Sequence, residues 1–519
     1  MKLNYKRTIL VGFAFFLISA FGQAYDATIP VILTNKFGMS QTWSGVIMAL
    51  DNILAVFMLP LFGALSDKCA GKRFGKRTPF ITIGTIVAAI ALIGLSFVDG
   101  AQLKNISQVS QLDCQASLEV IYDTQADATL MTPEGEEFVL SDVFSKEEFV
   151  AIRSQITDPE NADKLITNPD YTNYVAPARQ AYAAERTAAN PTPLILFVVL
   201  LLVILVAMAI FRSPAVALMP DVTVKPLRSK ANAVINLMGT AGGIIVLVLG
   251  MVFATSAVKN QLMNYTVYYM VIAGLMLGAL VIFLLTVKEK QWSKEMMEQS
   301  VALGIEEEVE ADGEKRKLSK GEVRSLLFIL ASIALWYFGY NAVTSKYAVY
   351  AGNILNMDYN TTLLLAQAAA IVAYLPAGMV ASKIGRKKTI LAGVVMLTTA
   401  FAAASFLRSG SSVMLMNVLF ALAGIGWATI NVNSFPMVVE MCSGGDIGKY
   451  TGFYYTASMT AQIITPMFSG FLMDQMGMTV LFPYAAIFAG LAFVTMLVVR
   501  HGDAKPEAKV GLEALDTED

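Results

Sequence analysis

The chain is poor in the groups that most enzymes rely on. Its 519 residues include one histidine and three cysteines, and only 15% are charged, against roughly 25% in an ordinary soluble domain. His501 follows the last apolar stretch, which excludes a histidine metal cluster or an imidazole relay within the apolar body. Cys69, Cys114 and Cys442 lie far apart with no Cys-x-x-Cys spacing, which argues against a metal site and against a disulfide framework. The chain has no Gly-x-x-x-x-Gly-Lys-Ser/Thr loop, so an ATP-driven pump built on it alone is unsupported. A net charge of −2 supplies no basic surface for nucleic acid. Neither a metal, a cofactor nor an enzymatic reaction is expected.

What the chain has instead is apolar length. Hydrophobic residues make up 56%, above the usual 45–50% or so. Windows of about 20 apolar residues, enough to cross a bilayer, fall near 8–33, 43–65, 79–98, 193–217, 232–255 and 265–287. The pattern resumes near 324–350, 361–381, 389–407, 413–436, 451–473 and 479–500. The expected fold is an all-α membrane protein of twelve transmembrane helices in two six-helix bundles. Residues 1–98 and 193–287 form the first bundle and 324–500 the second. A linker (288–323) joins them, an insertion (99–192) separates spans 3 and 4, and a tail (501–519) follows. Lys2, Lys6 and Arg7 before an apolar run resemble a secretory signal. The run continues to Leu33, however, and its retention as a first span is expected.

Charge gives the orientation. Alternate loops hold thirteen Lys and Arg residues (Lys68, Lys72, Arg73, Lys76 and Arg77; Lys225, Arg228 and Lys230; Lys383, Arg386, Lys387 and Lys388; Lys449), and the opposite loops hold Lys36, Lys259 and Arg408. The positive-inside rule then puts both termini and the linker in the cytoplasm, with the plasma membrane the expected location. The insertion lies outside; it carries sixteen acidic and six basic residues and reads equally as a small helical ectodomain or a flexible acidic loop. Asn105, Asn264 and Asn360 head glycosylation sequons on that side. The linker, dense in both charge signs, reads as a solvated, partly helical tether.

A motif recurs in the cytoplasmic loops. Gly63, Asp67 and Lys68, followed by Arg73, Gly75, Lys76, Arg77 and Pro79, correspond to Gly378, Ser382, Lys383, Gly385, Arg386 and Lys387 after the eighth span, which indicates internal duplication. Basic residues before a helix N-terminus face its positive dipole end and require acids to offset them. A charge cluster of Asp67 and Asp221 with Lys76 and Arg77 is therefore expected to act as a cytoplasmic gate. Its counterpart uses Arg386 and Glu440, with Ser382 where the acid would stand.

These loops resemble those of the major facilitator superfamily. A closer resemblance is to the sucrose–proton symporters of plants, their animal relatives and the bacterial glycoside–pentoside–hexuronide cation symporters. It is carried by Phe21-Gly22, Ser66-Asp67, Arg73 to Ile81, Pro214 to Asp221 and Ala231 to Ala233; the insertion is not part of it. The resemblance implies cation-coupled import of a disaccharide or glycoside. It also implies that Asp26 stands where the animal relatives have a Glu, and that a substrate-contacting arginine falls one turn after Arg212, at Val216.

An ionisable group inside a span is costly and by default functional. Asp26 shares a helix face with Gln23 and Pro30 and is the first candidate for cation coupling, because a carboxylate held away from water can exchange protons near neutrality. Asp51 beside Asn52 is the second, and two such acids suit sodium as readily as a proton. Arg212 needs a carboxylate or a polar substrate as its partner. Asn431 occupies the equivalent position in the second half. Tyr337, Asn341 and Thr344 share one face of the seventh span, and Tyr454, Ser458 and Gln462 share one face of the eleventh. Aromatic surfaces beside amides and hydroxyls suit a sugar, although interhelical hydrogen bonding explains the same residues. Asn232, Asn236, Gly239 and Gly243 form a small-residue stripe that reads as packing. The expected partners are the bilayer, a sugar-like molecule and a proton or sodium ion, bound by a monomer. Proton-driven efflux and a receptor that uses the insertion remain alternatives.

Overall fold

The computed structural model describes residues 3–69, 75–158, 161–224, 227–302, 318–439, 441 and 447–502. Its first half holds α1 (Tyr5–Asn35), α2 (Gln41–Lys68), α3 (Thr78–Asn105), and, after the insertion, α8 (Thr192–Val222), α9 (Arg228–Val252) and α10 (Thr266–Thr286). The second half holds α12 (Lys320–Tyr350), α13 (Tyr359–Ile384), α14 (Arg386–Ala404), α15 (Val413–Val439), α16 (Ile447–Met476) and α17 (Leu481–Val498). Among the described residues, ten helices are long and apolar enough to cross a membrane. The two further long helices, α13 and α16, stand where the eighth and eleventh spans are expected. A continuous helix satisfies its own backbone, as a bilayer demands, and neighbouring helices make internal prolines tolerable. Pro30, Pro60, Pro214, Pro220, Pro376, Pro436 and Pro466 all lie within helices.

Two hydrophobic clusters divide the long helices. One joins buried side chains of α1, α2, α3, α8, α9 and α10. The other joins α12 to α17, with Tyr359 the member from α13, and also takes in Ala27 and Val31 of α1. A third belongs to the insertion, which has a core of its own around Leu118, Ile121, Phe149, Tyr171 and Tyr182. The insertion contains α4 (Gln115–Gln125), β1 (Thr129–Met131), β2 (Glu137–Val139), α5 (Leu140–Val143), α6 (Lys146–Ala151), β3 (Gln155–Asp158), β4 (Asn161–Thr167) and α7 (Ala176–Ala189). Strands β1 and β2 pair antiparallel, as do β3 and β4. The segment is thus a packed α/β unit, neither a helical cluster nor a loose loop.

The linker is partly helical, as expected, but its helix is docked and not a free tether. Its first part is α11 (Glu289–Ala302), with Trp292 buried against the first half. The Glu289 carboxylate accepts from the backbone amides of Lys76 (2.5 Å), Arg77 (2.9 Å) and Thr78 (2.8 Å) and from the Thr78 hydroxyl (2.6 Å). It therefore caps α3 from a distant part of the chain, meeting amides that have no partner within the helix. Arg7 pairs with Glu295 at 2.5 Å and covers the Trp292 ring. Residues 303–317 lie outside the described set, as does the tail from residue 503.

Candidate functional site: a cavity between the two halves

The two halves meet near the insertion. At the start of α2 the Asp474 carboxylate of α16 accepts from the amides of Gln41 (2.7 Å) and Thr42 (2.8 Å) and from the Thr42 hydroxyl (2.5 Å). Lys346 of α12 donates to the Gln41 carbonyl at 2.6 Å. A Cβ on Gly45 would strike the Pro466 carbonyl, and one on Gly470 the Gln41 carbonyl, so α2 and α16 are in direct backbone contact here. On the other flank Ser256 donates to Asp358 at 2.6 Å, and the hydroxyls of Thr255 and Tyr359 share a 2.8 Å bond. Asn360, which heads a sequon, is buried and donates to Thr255 at 3.1 Å.

Beneath this closed end lies a cavity of about 440 Å³. The first half contributes the polar and small residues Ser19, Gln23 and Asp26 of α1 with Asn236, Gly239, Thr240 and Gly243 of α9, beside the apolar Phe15 and Leu237. The wall from the second half is aromatic, with Tyr340, Tyr374, Phe401, Phe420 and Trp427 beside Thr344 and Gln367. Tyr340 stacks on Trp427 with centroids 3.7 Å apart and planes 3° from parallel, and Tyr337 meets Trp427 edge-on at 5.2 Å. Gln367 Nε2 donates to Gln23 Oε1 at 2.6 Å across the cavity. Asp26, one turn from Gln23, is accessible from the cavity and lies within electrostatic range of Tyr340 and Asp51.

Of the residues singled out in the sequence, Gln23, Asp26 and Thr344 line this cavity, and Tyr337 backs its aromatic wall. Asp51, Asn52, Arg212, Asn341, Asn431, Tyr454 and Gln462 do not line it. Asp51 and Arg212 are within electrostatic range of each other, with Arg212 exposed on α8 toward the linker end. Asn341 Nδ2 and Asn431 Oδ1 are buried without a hydrogen-bond partner among the described residues. Tyr454 is buried, its hydroxyl 3.3 Å from that of Ser434. The small-residue stripe on α9 both packs and lines the site: Gly239 lies against Ser19 of α1, yet Asn236, Gly239 and Gly243 also face the cavity. Sequence reasoning missed Gln367, Tyr340 and Trp427. Tyr340 is three residues after Tyr337, so a wider helical face would have included it.

At the linker end, Arg77 gathers the expected acids. Its Nε donates to Asp221 at 2.7 Å, its Nη2 to Asp67 at 2.5 Å, and its Nη1 to the Ser66 hydroxyl. Burial opposes the Arg77 charge, but the two carboxylates outweigh it and hold the guanidinium's pKa above its ordinary value. The Lys76 side chain does not join: it is exposed and forms no ion pair among the described residues, and only its backbone amide is used, by Glu289. Among the described residues, the cluster's contacts lie within the first half. Arg386 opens α14, and Glu440 lies outside the described residues.

The long helices in two sets, each around its own apolar core, are the architecture of an integral membrane protein, and the chain belongs to the major facilitator superfamily. The profile described as Major Facilitator Superfamily matches residues 181–373 and 359–516, and one described as MFS/sugar transport protein matches residues 10–102. Among curated relatives, an uncharacterised MFS-type transporter of Schizosaccharomyces pombe is 27% identical over 35% of this chain and 41% of its own length. The sucrose transport protein SUC4 of Arabidopsis thaliana is 30% identical over 14% of each chain. The chain therefore spans less than half the length of these relatives. The fold is similar to the xylose transporter XylE from E. coli in its inward-open conformation, with a TM-score of 0.54, 14% identity and coverage of 94% and 95% of the two chains. It is also similar to a bacterial homologue of the iron transporter ferroportin in its inward-facing state, with a TM-score of 0.56, 11% identity and coverage of 96% and 99%.

Proposed function

We propose that this chain is a proton-coupled sugar symporter of twelve spans in two six-helix bundles, 1–98 with 193–287 and 324–500, lying in the plasma membrane. On the positive-inside rule the linker, the tail and both termini are cytoplasmic and the 99–192 insertion is external. The cross-half contacts then close the outside, leaving the cavity to communicate with the cytoplasm, and transport proceeds by rocking of the halves about a central site.

One observation carries the reading: a carboxylate and amides on one wall of the cavity oppose a stacked tyrosine–tryptophan pair on the other. A pyranose has an apolar C–H face to lay on an aromatic ring and a rim of hydroxyls for amides and carboxylates. The local matches to a sugar-transport profile and to plant sucrose transport proteins support the same cargo. Asp26 takes the coupling ion. A proton suits it better than sodium, because a hard cation demands several oxygen ligands and Asp51 does not line the cavity. Arg212 and Asp51 serve the cytoplasmic passage, and the Arg77 cluster steadies its rim.

The test is uptake into proteoliposomes of a panel of neutral mono- and disaccharides, under an imposed proton or sodium gradient, by wild type and Asp26→Asn. Proton-driven accumulation of one sugar by wild type, with only passive equilibration by Asp26→Asn, is expected. Undiminished accumulation by Asp26→Asn would refute the coupling role, and sodium dependence would refute the ion.

A further inference from the structure

The insertion is unused by the proposed transport cycle, yet it touches both halves in physically different ways. Toward the first half it is built in. Val258 and Leu262, from the loop between α9 and α10, are members of its hydrophobic core. Gln102 of α3 donates to the Lys36 carbonyl at 2.8 Å and to Thr187 of α7 at 3.0 Å, and Gln180 donates to Asn35 at 3.0 Å. Below these, the fully buried Lys36 binds Asp99 at 2.5 Å and the Met263 carbonyl at 2.7 Å, tying the ends of α1, α3 and α10 together. Apolar burial together with this buried hydrogen-bonded and charge-paired network makes the seam part of one rigid body.

Toward the second half the contact is small and polar. The turn between β1 and β2 reaches the approach to α17, where the Met478 amide donates to the Pro133 carbonyl at 2.7 Å. Glu134 faces Arg408 at 3.7 Å, with their side chains 51% and 40% exposed. Thr172 donates to Asn356 at 3.5 Å. Gly135, at φ +98°, lies so close that a Cβ there would be 2.7 Å from the Met476 carbonyl. Such contacts are specific in shape, but among the described residues no side chain of the second half is a member of the insertion's hydrophobic core, so they can part and re-form at modest cost.

We propose that the insertion is a strap: fixed to the first half, it clips the second half through residues 132–136 and holds the insertion end shut, so the clip must release each time that end opens. The inference rests on alternating access but not on the identity of the cargo. The strap therefore sets how much time the transporter spends closed to its insertion side.

Ser44, fully buried on α2 next to Gly45, whose backbone lies against Pro466 of α16, provides a reporter. In a background with Cys69, Cys114 and Cys442 replaced by serine, Ser44→Cys is labelled in proteoliposomes by a membrane-impermeant maleimide from the insertion side. Gly135→Val, which cannot keep the turn seated, is expected to raise the labelling rate about three- to tenfold, the factor carried by one ordinary hydrogen bond. Joining a Glu134→Cys/Arg408→Cys pair with a short bifunctional thiol reagent before the maleimide is expected to lower labelling of the Ser44→Cys peptide, quantified on its own by mass spectrometry, below that in a sample whose pair is capped with a monofunctional thiol reagent, with recovery on cleaving the joint. The cross-linked arm uses a fully folded clip, so it stands even if Gly135→Val folds poorly. Unchanged labelling on cross-linking overturns the strap, as does unchanged labelling in a monodisperse Gly135→Val protein. Because no sugar enters the assay, failure of the sugar reading leaves this result intact.

Discussion

The substitution Asp474→Asn isolates the lock between α2 and α16. The Asp474 carboxylate takes two backbone amides and a hydroxyl at 2.5–2.8 Å, all on the opposite half of the molecule, so the whole interaction belongs to the state closed at the insertion end. The side-chain amide of the variant would keep one acceptor oxygen, lose the charge, and turn an N–H donor toward another donor. A hydrogen bond to a charged group contributes about 1.5–3 kcal/mol, and one such loss is the least that Asp474→Asn can cause. At about 1.4 kcal/mol per tenfold, the closed-to-open ratio should fall roughly 10- to 100-fold. Spin labels at the exposed Trp43 and Phe406, one on each half, would read this by double electron–electron resonance as a longer-distance population growing at the expense of the short one. An unchanged distance distribution in folded Asp474→Asn would mean that the lock contributes nothing to the equilibrium, and the reasoning from its geometry would fail.

Trp427→Ala should weaken sugar affinity about tenfold or more, since it removes the stacking platform and leaves Tyr340 without its partner; Trp427→Phe should recover part of it, and equal affinities for both variants would exclude the aromatic wall from binding. Glu289→Ala strands three amides at the start of α3, at a cost of about 2–3 kcal/mol. Its melting temperature should fall by several degrees in a thermal unfolding scan, while Glu295→Ala, whose pair with Arg7 is half-buried and open to solvent screening, should fall by less; equal shifts would show that the capping of α3 is not what matters.

The sequence by itself determined that the chain lives in a bilayer and that its loops are duplicated, because apolar length and charge placement are properties of the linear chain. It also marked Asp26 and Gln23, since an acid inside an apolar helix is conspicuous wherever it faces, and it brought Arg77 to Asp67 and Asp221 through the need to offset charge at a helix start. It did not determine which way each helix is turned. An all-round apolar helix carries almost no rotational signal in its periodicity, so Asn431, Tyr454 and Gln462 sit on plausible faces in the sequence yet do not line the cavity. Interhelical packing turned Trp427, Tyr340 and Gln367 to the cavity instead. Contacts between distant segments, such as Glu289 on α3, Asp474 on α2 and the 132–136 turn against Met478, leave no local pattern in sequence at all. Each depends on two rigid bodies meeting at one angle, and only the tertiary structure decides that.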